Sequence, residues 1–430
     1  MTDGRGPGGP VAPTTNWAGN VTYRAARVLR PSSVDELRRV VAGSPRLRPL
    51  GTGHSFSDVV DTTGDLVSVA GLPPTVELDE DRRSVTVGAG MRYGELAEPL
   101  HRAGWALPNL GSLPHICVAG AVATGTHGSG DANGCLAASV SGLEMVTAAG
   151  DLVHLTRAEG DRFRGAVVAL GALGVVTRLT LDVVPTFEVR QHVYDGLSTD
   201  NLLQHWDEVF SRAYSVSVFT DWSHQGNHQV WLKERVGDEP RRPDPEWLGT
   251  RPADGPRHPI PGADADSITE QQGVPGPWHE RLPHFRLGFT PSSGDELQSE
   301  YLVPRDRAAD ALAAVARIAH LVSPVLQVSE VRTVAADDLW LSPAYGRDSL
   351  AIHFTWVSDT AAVLPVVAAV EEAVMPCAPR PHWGKVFGMA PDDVRATYDR
   401  ADDFRSLAAD LDPSGKLRND FLDRYLPPVP

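Results

Sequence analysis

Gly51-Thr52-Gly53-His54-Ser55-Phe56-Ser57 follows a short apolar run at 47–50, and Gly125-Thr126-His127-Gly128-Ser129-Gly130 repeats its texture downstream. Glycine lets successive backbone N–H groups converge on an anion, and Ser and Thr hydroxyls add donors. Loops of this kind can cradle a pyrophosphate without a lysine. An imidazole in the tightest part of such a turn needs another task, and a bond or close contact to a cofactor ring is the chemistry it offers. Taken alone, an ordinary Gly-rich strand-to-helix turn carries the same residues. The commoner nucleotide signatures are missing: Gly88-Ala89-Gly90 is followed by Tyr93 where G-x-G-x-x-G needs its third glycine, and no G-x-x-x-x-G-K-[ST] occurs.

A second constellation is Glu330-x-Arg332, inside a run at 325–334 with strand composition. Residues two apart in a strand leave the same face. A carboxylate offset by a guanidinium presents donors and acceptors with little net charge, which suits the vicinal hydroxyls of a neutral polyol; a lone arginine would select an acid. Thr355, in the apolar run 350–357, could bring a hydroxyl to that face from a neighbouring antiparallel strand. Without further context a Glu-x-Arg pair in a strand is more often a salt bridge of little consequence. Lys385 sits in His382-Trp383-Gly384-Lys385 among aromatic and apolar residues. Desolvation beside another cation such as Arg332 lowers a lysine pKa and fits it for proton transfer, although most lysines snorkel to the surface.

These residues need a scaffold, and the pattern predicts two textures. The first part mixes short elements: a helix opened by the Ser33-Val34-Asp35-Glu36 capping box through Val41, strands near 47–50, 66–70, 75–79 and 84–88, and a helix near 93–103. A hairpin joins 142–147 to 151–156 across Ala148-Ala149-Gly150. A helix at 160–169, a turn at 171–174 and a strand at 175–184 close the region, with Pro185 as the boundary. From 186 the elements lengthen: a helix near 199–212, strands at 215–222 and 228–236, a Pro/Gly-rich insertion at 237–263, then strand, helix, strand, strand, helix from Leu297 to Val374. That order predicts an antiparallel sheet with helices on one face, capping the first domain.

Composition narrows the partners. A chain of 430 residues with 42% hydrophobic content can bury two sizeable cores. The formal charge of -16, from 55 acidic against 39 basic residues, with no Lys/Arg block, argues against nucleic acid and anionic membranes and for a neutral small molecule. Three widely spaced cysteines without a C-x-x-C support neither a disulfide framework nor a zinc site, and no other metal site is expected. With no apolar targeting segment in 1–15, the expectation is a cytoplasmic, non-membrane protein with no obligate protein partner.

Seven segments read together resemble the alditol (xylitol, sorbitol) oxidases, which belong to the vanillyl-alcohol-oxidase (VAO/PCMH) type of FAD flavoproteins. They are Asn16-Trp17-Ala18-Gly19-Asn20, Gly53-His54-Ser55-Phe56, Ala106-Leu107-Pro108-Asn109, Ser112-Leu113-Pro114-His115, Ala123-Thr124-Gly125-Thr126-His127-Gly128-Ser129-Gly130, Gly273-Val274-Pro275-Gly276-Pro277-Trp278-His279-Glu280-Arg281 and His382-Trp383-Gly384-Lys385-Val386-Phe387. The resemblance spans about 16–421 and is weakest in 1–15 and 237–262.

It implies an α+β, two-domain flavoprotein: an FAD-binding domain at 14–185, an antiparallel-sheet substrate (cap) domain at 186–378, and a C-terminal segment at 379–430 returning to the FAD domain. It implies that the enzyme oxidises the terminal primary alcohol of alditols and passes the electrons to dioxygen, releasing hydrogen peroxide. By the same resemblance His54 carries FAD covalently, and the flavin is further contacted by Gly51, Thr52, Gly53, Ser55, Ser112, Cys117, Gly120, Thr124, Gly125, Thr126, His127, Gly128, Val176 and His382. Glu330, Arg332 and Lys385 become the catalytic set, with Ser112 and Thr355 completing the substrate pocket. Gly111 falls at the position that controls dioxygen access. Cys117 lies where distantly related bicovalent enzymes carry a second thioether, but its offset from Ser112-Leu113-Pro114 does not match theirs and it is taken as a buried small residue. Two rivals follow: an aldonolactone oxidoreductase of the same fold passing electrons to a carrier, and a non-catalytic flavin- or sugar-binding protein.

Overall fold

The structure is a computed structural model and describes residues 15–223, 228–239, 244, 246–289 and 295–429. The Gly/Pro-rich start at 1–14 and positions 240–243 and 245 of the 237–263 insertion lie outside the described residues.

The first region holds two sheets. A three-stranded parallel sheet orders Arg27–Leu29, Asp65–Ser68 and Leu47–Leu50, with the central strand pairing both neighbours. Its first helix, Val34–Gly43, starts where predicted: the Ser33 side chain accepts from Glu36 N–H at 3.2 Å, while the Glu36 carboxylate turns back to Ser32. A five-stranded antiparallel sheet orders Val76–Asp79, Ser84–Gly88, Val175–Asp182, Val140–Val146 and Leu152–Thr156. Strict alternation buries Val175, Thr177, Leu179 and Leu181 and leaves the intervening residues half-buried.

The second region is one nine-stranded antiparallel sheet, with Ser215–Thr220, Leu326–Val334, Ser349–Val357 and Glu296–Pro304 as adjacent central strands. Register and the period of two give it two distinct faces. One row is apolar: Val218, Val331, Ile352 and Tyr301 lie side by side and share a face covered by the helices Thr199–Phe210, Ala308–Arg317 and Thr360–Val374. The next row is Phe219, Glu330, His353 and Glu300, so the opposite face carries the charge. Both faces are buried, because the charged face packs toward the first region.

Two differences from the expected order emerge. Glu188–Leu197 is a ten-residue strand that the sequence reading passes over; it pairs with His228–Arg235 and anchors one side of the sheet. Arg380–Pro381 still pairs with the Glu296–Pro304 strand, so the chain returns to the first region only after it. There the tail is tied by Leu47 N–H to Lys416 O and by Lys416 Nζ to the carbonyls of Val41 and Ala148. One apolar cluster runs continuously through both regions, from Val85 and Leu96 to Phe354 and Tyr425, so the two do not bury separate cores.

Candidate active site

A cavity of about 700 Å³ lies between the loops of the first region and the charged face of the cap sheet. It is lined by Gly51, Thr52, Gly53, His54, Ser55, Gly111, Ser112, Cys117, Gly120, Thr124, Thr126, His127 and Val176 from one side. Glu330, Arg332, Thr355, His382 and Lys385 line it from the other. Gly125 and Gly128 do not line it. A Cβ on Gly128 would meet Leu110 O at 2.3 Å, and one on Gly125 would meet Pro343 Cδ at 2.6 Å, so both glycines answer packing behind the wall.

Glu330 and Arg332 share a face and are buried, but they are not primarily each other's partner: Arg332 Nε is 3.6 Å from Glu330 Oε1. The closer acceptor for Arg332 is Glu300 Oε1, at 2.5 Å from Nη2. Lys385 Nζ donates to Glu300 Oε2 at 2.7 Å, and His127 Nε2 lies 3.4 Å from Glu300 Oε1. One carboxylate thus gathers the guanidinium and the ammonium. Burial alone would push both carboxyls up; Lys385 and Arg332 beside Glu300, and Arg332 and His284 beside Glu330, hold them well below the usual range. Burial pulls Lys385 below the ordinary lysine range; Glu300 opposes that shift and Arg332 reinforces it.

Two imidazoles extend the cluster. His353 Nδ1 accepts from Lys385 Nζ at 2.7 Å and its Nε2 lies 3.1 Å from Thr355 Oγ1. His284 Nε2 lies 2.8 Å from Glu330 Oε1. Burial keeps both rings neutral, with His284 pushed down to about 4. Arg332 Nη1 also reaches Ser112 Oγ at 3.3 Å, linking the cap sheet to the first-region segment that carries Gly111.

His54 follows Gly53, whose φ of +73° belongs to the left-handed region that glycine enters without strain. Its ring stacks on Trp17 at 5.2 Å, and burial, with His115 and Arg92 nearby, pushes its pKa down to about 4. The buried Nδ1 has no hydrogen-bond partner. Cys117 is buried and unpaired, and its sulfur sits 2.7 Å from where a Cβ on Gly51 would fall, which explains both the small thiol and the glycine. At Gly111 an added Cβ would sit in ordinary van der Waals contact with His127 O and Thr126 Cγ2 at 3.8 Å and Ile116 Cδ1 at 3.9 Å, so glycine there is not forced by a clash.

With the geometry in place, the likeness to known proteins can be weighed. A family model described as "FAD binding domain" matches residues 25–156, and one described as "D-arabinono-1,4-lactone oxidase" matches residues 295–425. The chain is 56% identical over 411 residues to an alditol oxidase of Streptomyces sp., covering 95% of this chain and 97% of that one. The chain belongs to the alditol oxidase family of FAD-dependent oxidoreductases. An L-gulono-1,4-lactone dehydrogenase of Mycobacterium tuberculosis is a more distant member of the same group, 30% identical over 96% of this chain and 99% of that one.

Among solved structures, the cholesterol oxidase of Brevibacterium sterolicum superposes with TM-score 0.74 at 16% identity, covering 96% of each chain. A xylooligosaccharide oxidase of Myceliophthora thermophila C1 in complex with xylobiose gives TM-score 0.73 at 14% identity, covering 97% of this chain and 94% of that one. These two share the fold of the chain, and the FAD-binding domain within it is the one that the family model matches.

The residues fit FAD. The orphaned His54 nitrogen, the small residues Gly51, Gly53 and Gly120, and the apolar wall of Val167, Leu173, Val175 and Val176 form an elongated slot that ends under the charged cap face. Sequence reasoning missed Glu300, His284 and His353 because none stands in a motif; strand pairing brings Glu300 and His353 to Glu330, and a loop brings His284. It also missed the insertion: His258, Pro259, Ile260 and Ala263 line the cavity, although 237–262 resembles the family least.

Proposed function

We propose that this protein oxidises the terminal primary alcohol of alditols to the aldose, using FAD tethered through His54 and dioxygen as the final acceptor, with hydrogen peroxide as the second product. The observation that carries the reading is the charge balance of the cap face, where Glu300 and Glu330 oppose Arg332 and Lys385 inside one buried cluster. A carboxylate substrate needs an excess of cations, whereas a polyol presents donors and acceptors in alternation and matches a balanced set. The 56% identity to an alditol oxidase supports the same substrate class.

Bound FAD supplies the two-electron acceptor. The chain supplies the rest. Loop 51–55, together with Gly120, Thr124 and Thr126, holds the cofactor, and the neutral imidazole of His54, free at Nδ1, is the nucleophile for the tether. Glu330 and Arg332, with the hydroxyls of Ser112 and Thr355, bind and orient the polyol. Lys385, fixed by two of its N–H groups on Glu300 and His353, has a third to donate to the reacting hydroxyl. Gly111, without a side chain on the cavity wall, leaves dioxygen a path. An aerobic screen of xylitol, sorbitol, mannitol and glycerol, read as peroxide release, tests the proposal. No peroxide with any of the four would refute it.

A further inference from the structure

Lys233 is among the most deeply buried cations of the chain, 1% exposed, and no step above uses it. It lies on the Gln229/Trp231/Lys233 side of its strand, behind the cavity wall. All its hydrogen-bond partners come from one loop: Nζ donates to Leu282 O at 2.5 Å and Pro283 O at 3.5 Å, and meets His284 Nδ1 at 3.0 Å. The other ring nitrogen of His284 meets Glu330 Oε1. The same loop grips the first region, since the N–H groups of His284 and Phe285 both donate to Ser112 O, at 3.1 and 3.3 Å.

The hydrogen count along this chain is fixed by chemistry. An ionised carboxylate only accepts, so His284 Nε2 carries a proton. Burial pulls Lys233 down to about 7, so on the acid side of that it is an ammonium, which only donates, and His284 Nδ1 then carries none. An imidazolium would set an N–H against Lys233, which is why the ammonium excludes it. The charged groups facing His284 are Lys233 on the strand His228–Arg235 and Glu330 and Arg332 on the strand Leu326–Val334; the rings of Phe219 and Trp231 complete its surroundings, each 5.3 Å away. Burial and then Lys233 push His284 down to about 4, in the same sense as the geometry.

We propose that Lys233 is a positioning residue for substrate: by occupying Nδ1 of His284 it keeps that ring a neutral Nε2–H donor, so that Glu330 stays an ionised, oriented acceptor for a polyol hydroxyl. The proposal rests on the substrate role of Glu330. If His284 were protonated, its cation would neutralise Glu330 and leave Arg332 and Lys385 in excess, and the site would lose its match to a neutral polyol.

The test is the pH profile of kcat/KM for xylitol over about pH 5 to 7, where an ordinary histidine titrates and Lys233, pulled down to about 7, is still largely an ammonium. It is run on FAD-loaded wild type, Lys233→Met, His284→Gln and the double variant, with flavin content read from the visible spectrum. Glutamine can accept from Lys233 and donate to Glu330 without titrating. Wild type and His284→Gln should show no ionisation from this group. Lys233→Met should acquire one, with kcat/KM falling about tenfold on its acid side through KM, the size of one charge-assisted hydrogen bond. The double variant should lose that ionisation.

A Lys233→Met profile parallel to wild type, or an equal loss in both histidine backgrounds, overturns the proposal. If Lys233→Met does not fold, ¹⁵N-histidine shifts of the wild type decide: a neutral Nε2–H ring across that range supports it, and an imidazolium or Nδ1–H ring overturns it. Glu330→Gln separates the two levels. Unchanged kcat/KM there removes the substrate role of Glu330 and the proposal with it, whereas a large loss there beside a flat Lys233→Met profile overturns the proposal alone.

Discussion

Glu300→Gln is the sharpest single perturbation of the charged cluster. The carboxylate is buried and accepts from Arg332 at 2.5 Å through Oε1 and from Lys385 at 2.7 Å through Oε2. Glutamine preserves the volume but keeps one acceptor, so its NH₂ must face one of the two cations. That loses a charge-assisted hydrogen bond and leaves one positive charge uncompensated. Breaking a buried pair from one side costs about 3–5 kcal/mol, and part of that appears as lost stability. Allotting roughly 2–3 kcal/mol to substrate binding and reaction, kcat/KM for xylitol should fall about 30- to 150-fold. Lys385 loses its raising partner, so its pKa should drop further. Anaerobic stopped-flow reduction of the flavin reads the effect directly. A folded, flavin-loaded variant with kcat/KM within about threefold of wild type would refute the view that Glu300 organises both cations.

Three other outcomes follow from the same geometry. After SDS denaturation the yellow chromophore should stay with the polypeptide, and His54→Ala should release or never acquire it; free flavin from wild type would end the tether claim. Gly111→Val should slow reoxidation by dioxygen about tenfold or more while flavin reduction by xylitol changes little, because the added methyls thicken the cavity wall that Gly111 lines; equal reoxidation rates would remove Gly111 as the gate. His228, His284, His353 and His382 are buried and held below the ordinary histidine range by burial. As pH falls below about 6.5 the unfolded chain takes up protons that the folded one refuses, so stability falls, by up to roughly 3 kcal/mol for a group shifted as far as His284. Tm should therefore drop from about pH 7 to pH 5, and a flat or rising Tm would contradict these neutral rings.

The sequence made the loop 51–57 and the Glu330/Arg332/Lys385 set legible because each depends on local spacing: glycines at a turn, a period of two in a strand, a lysine among aromatics. Helix starts such as Ser33 were legible for the same reason. Glu300, His284 and Lys233 were not. Glu300↔His353↔Glu330 joins three strands that no periodicity orders, and Lys233 is linked to Glu330 only through His284, which a loop carries there. The strand Glu188–Leu197 was missed although Val189, Gln191 and Val193 alternate into the interior, because buried glutamine reads as a surface residue. Gly125 and Gly128 show the converse: a glycine-rich texture marked the right wall of the cavity, but packing behind it needs glycine too.

The account stands or falls on whether a neutral polyol delivers electrons to the bound flavin in preference to a lactone. Anaerobic titration of the FAD-loaded enzyme with xylitol and, separately, with L-gulono-1,4-lactone reads this from the visible flavin band. The likeness to an alditol oxidase, 56% identical against 30% for the lactone dehydrogenase, predicts complete bleaching by xylitol and slow or no bleaching by the lactone. Rapid bleaching by the lactone with an unreactive xylitol would contradict it.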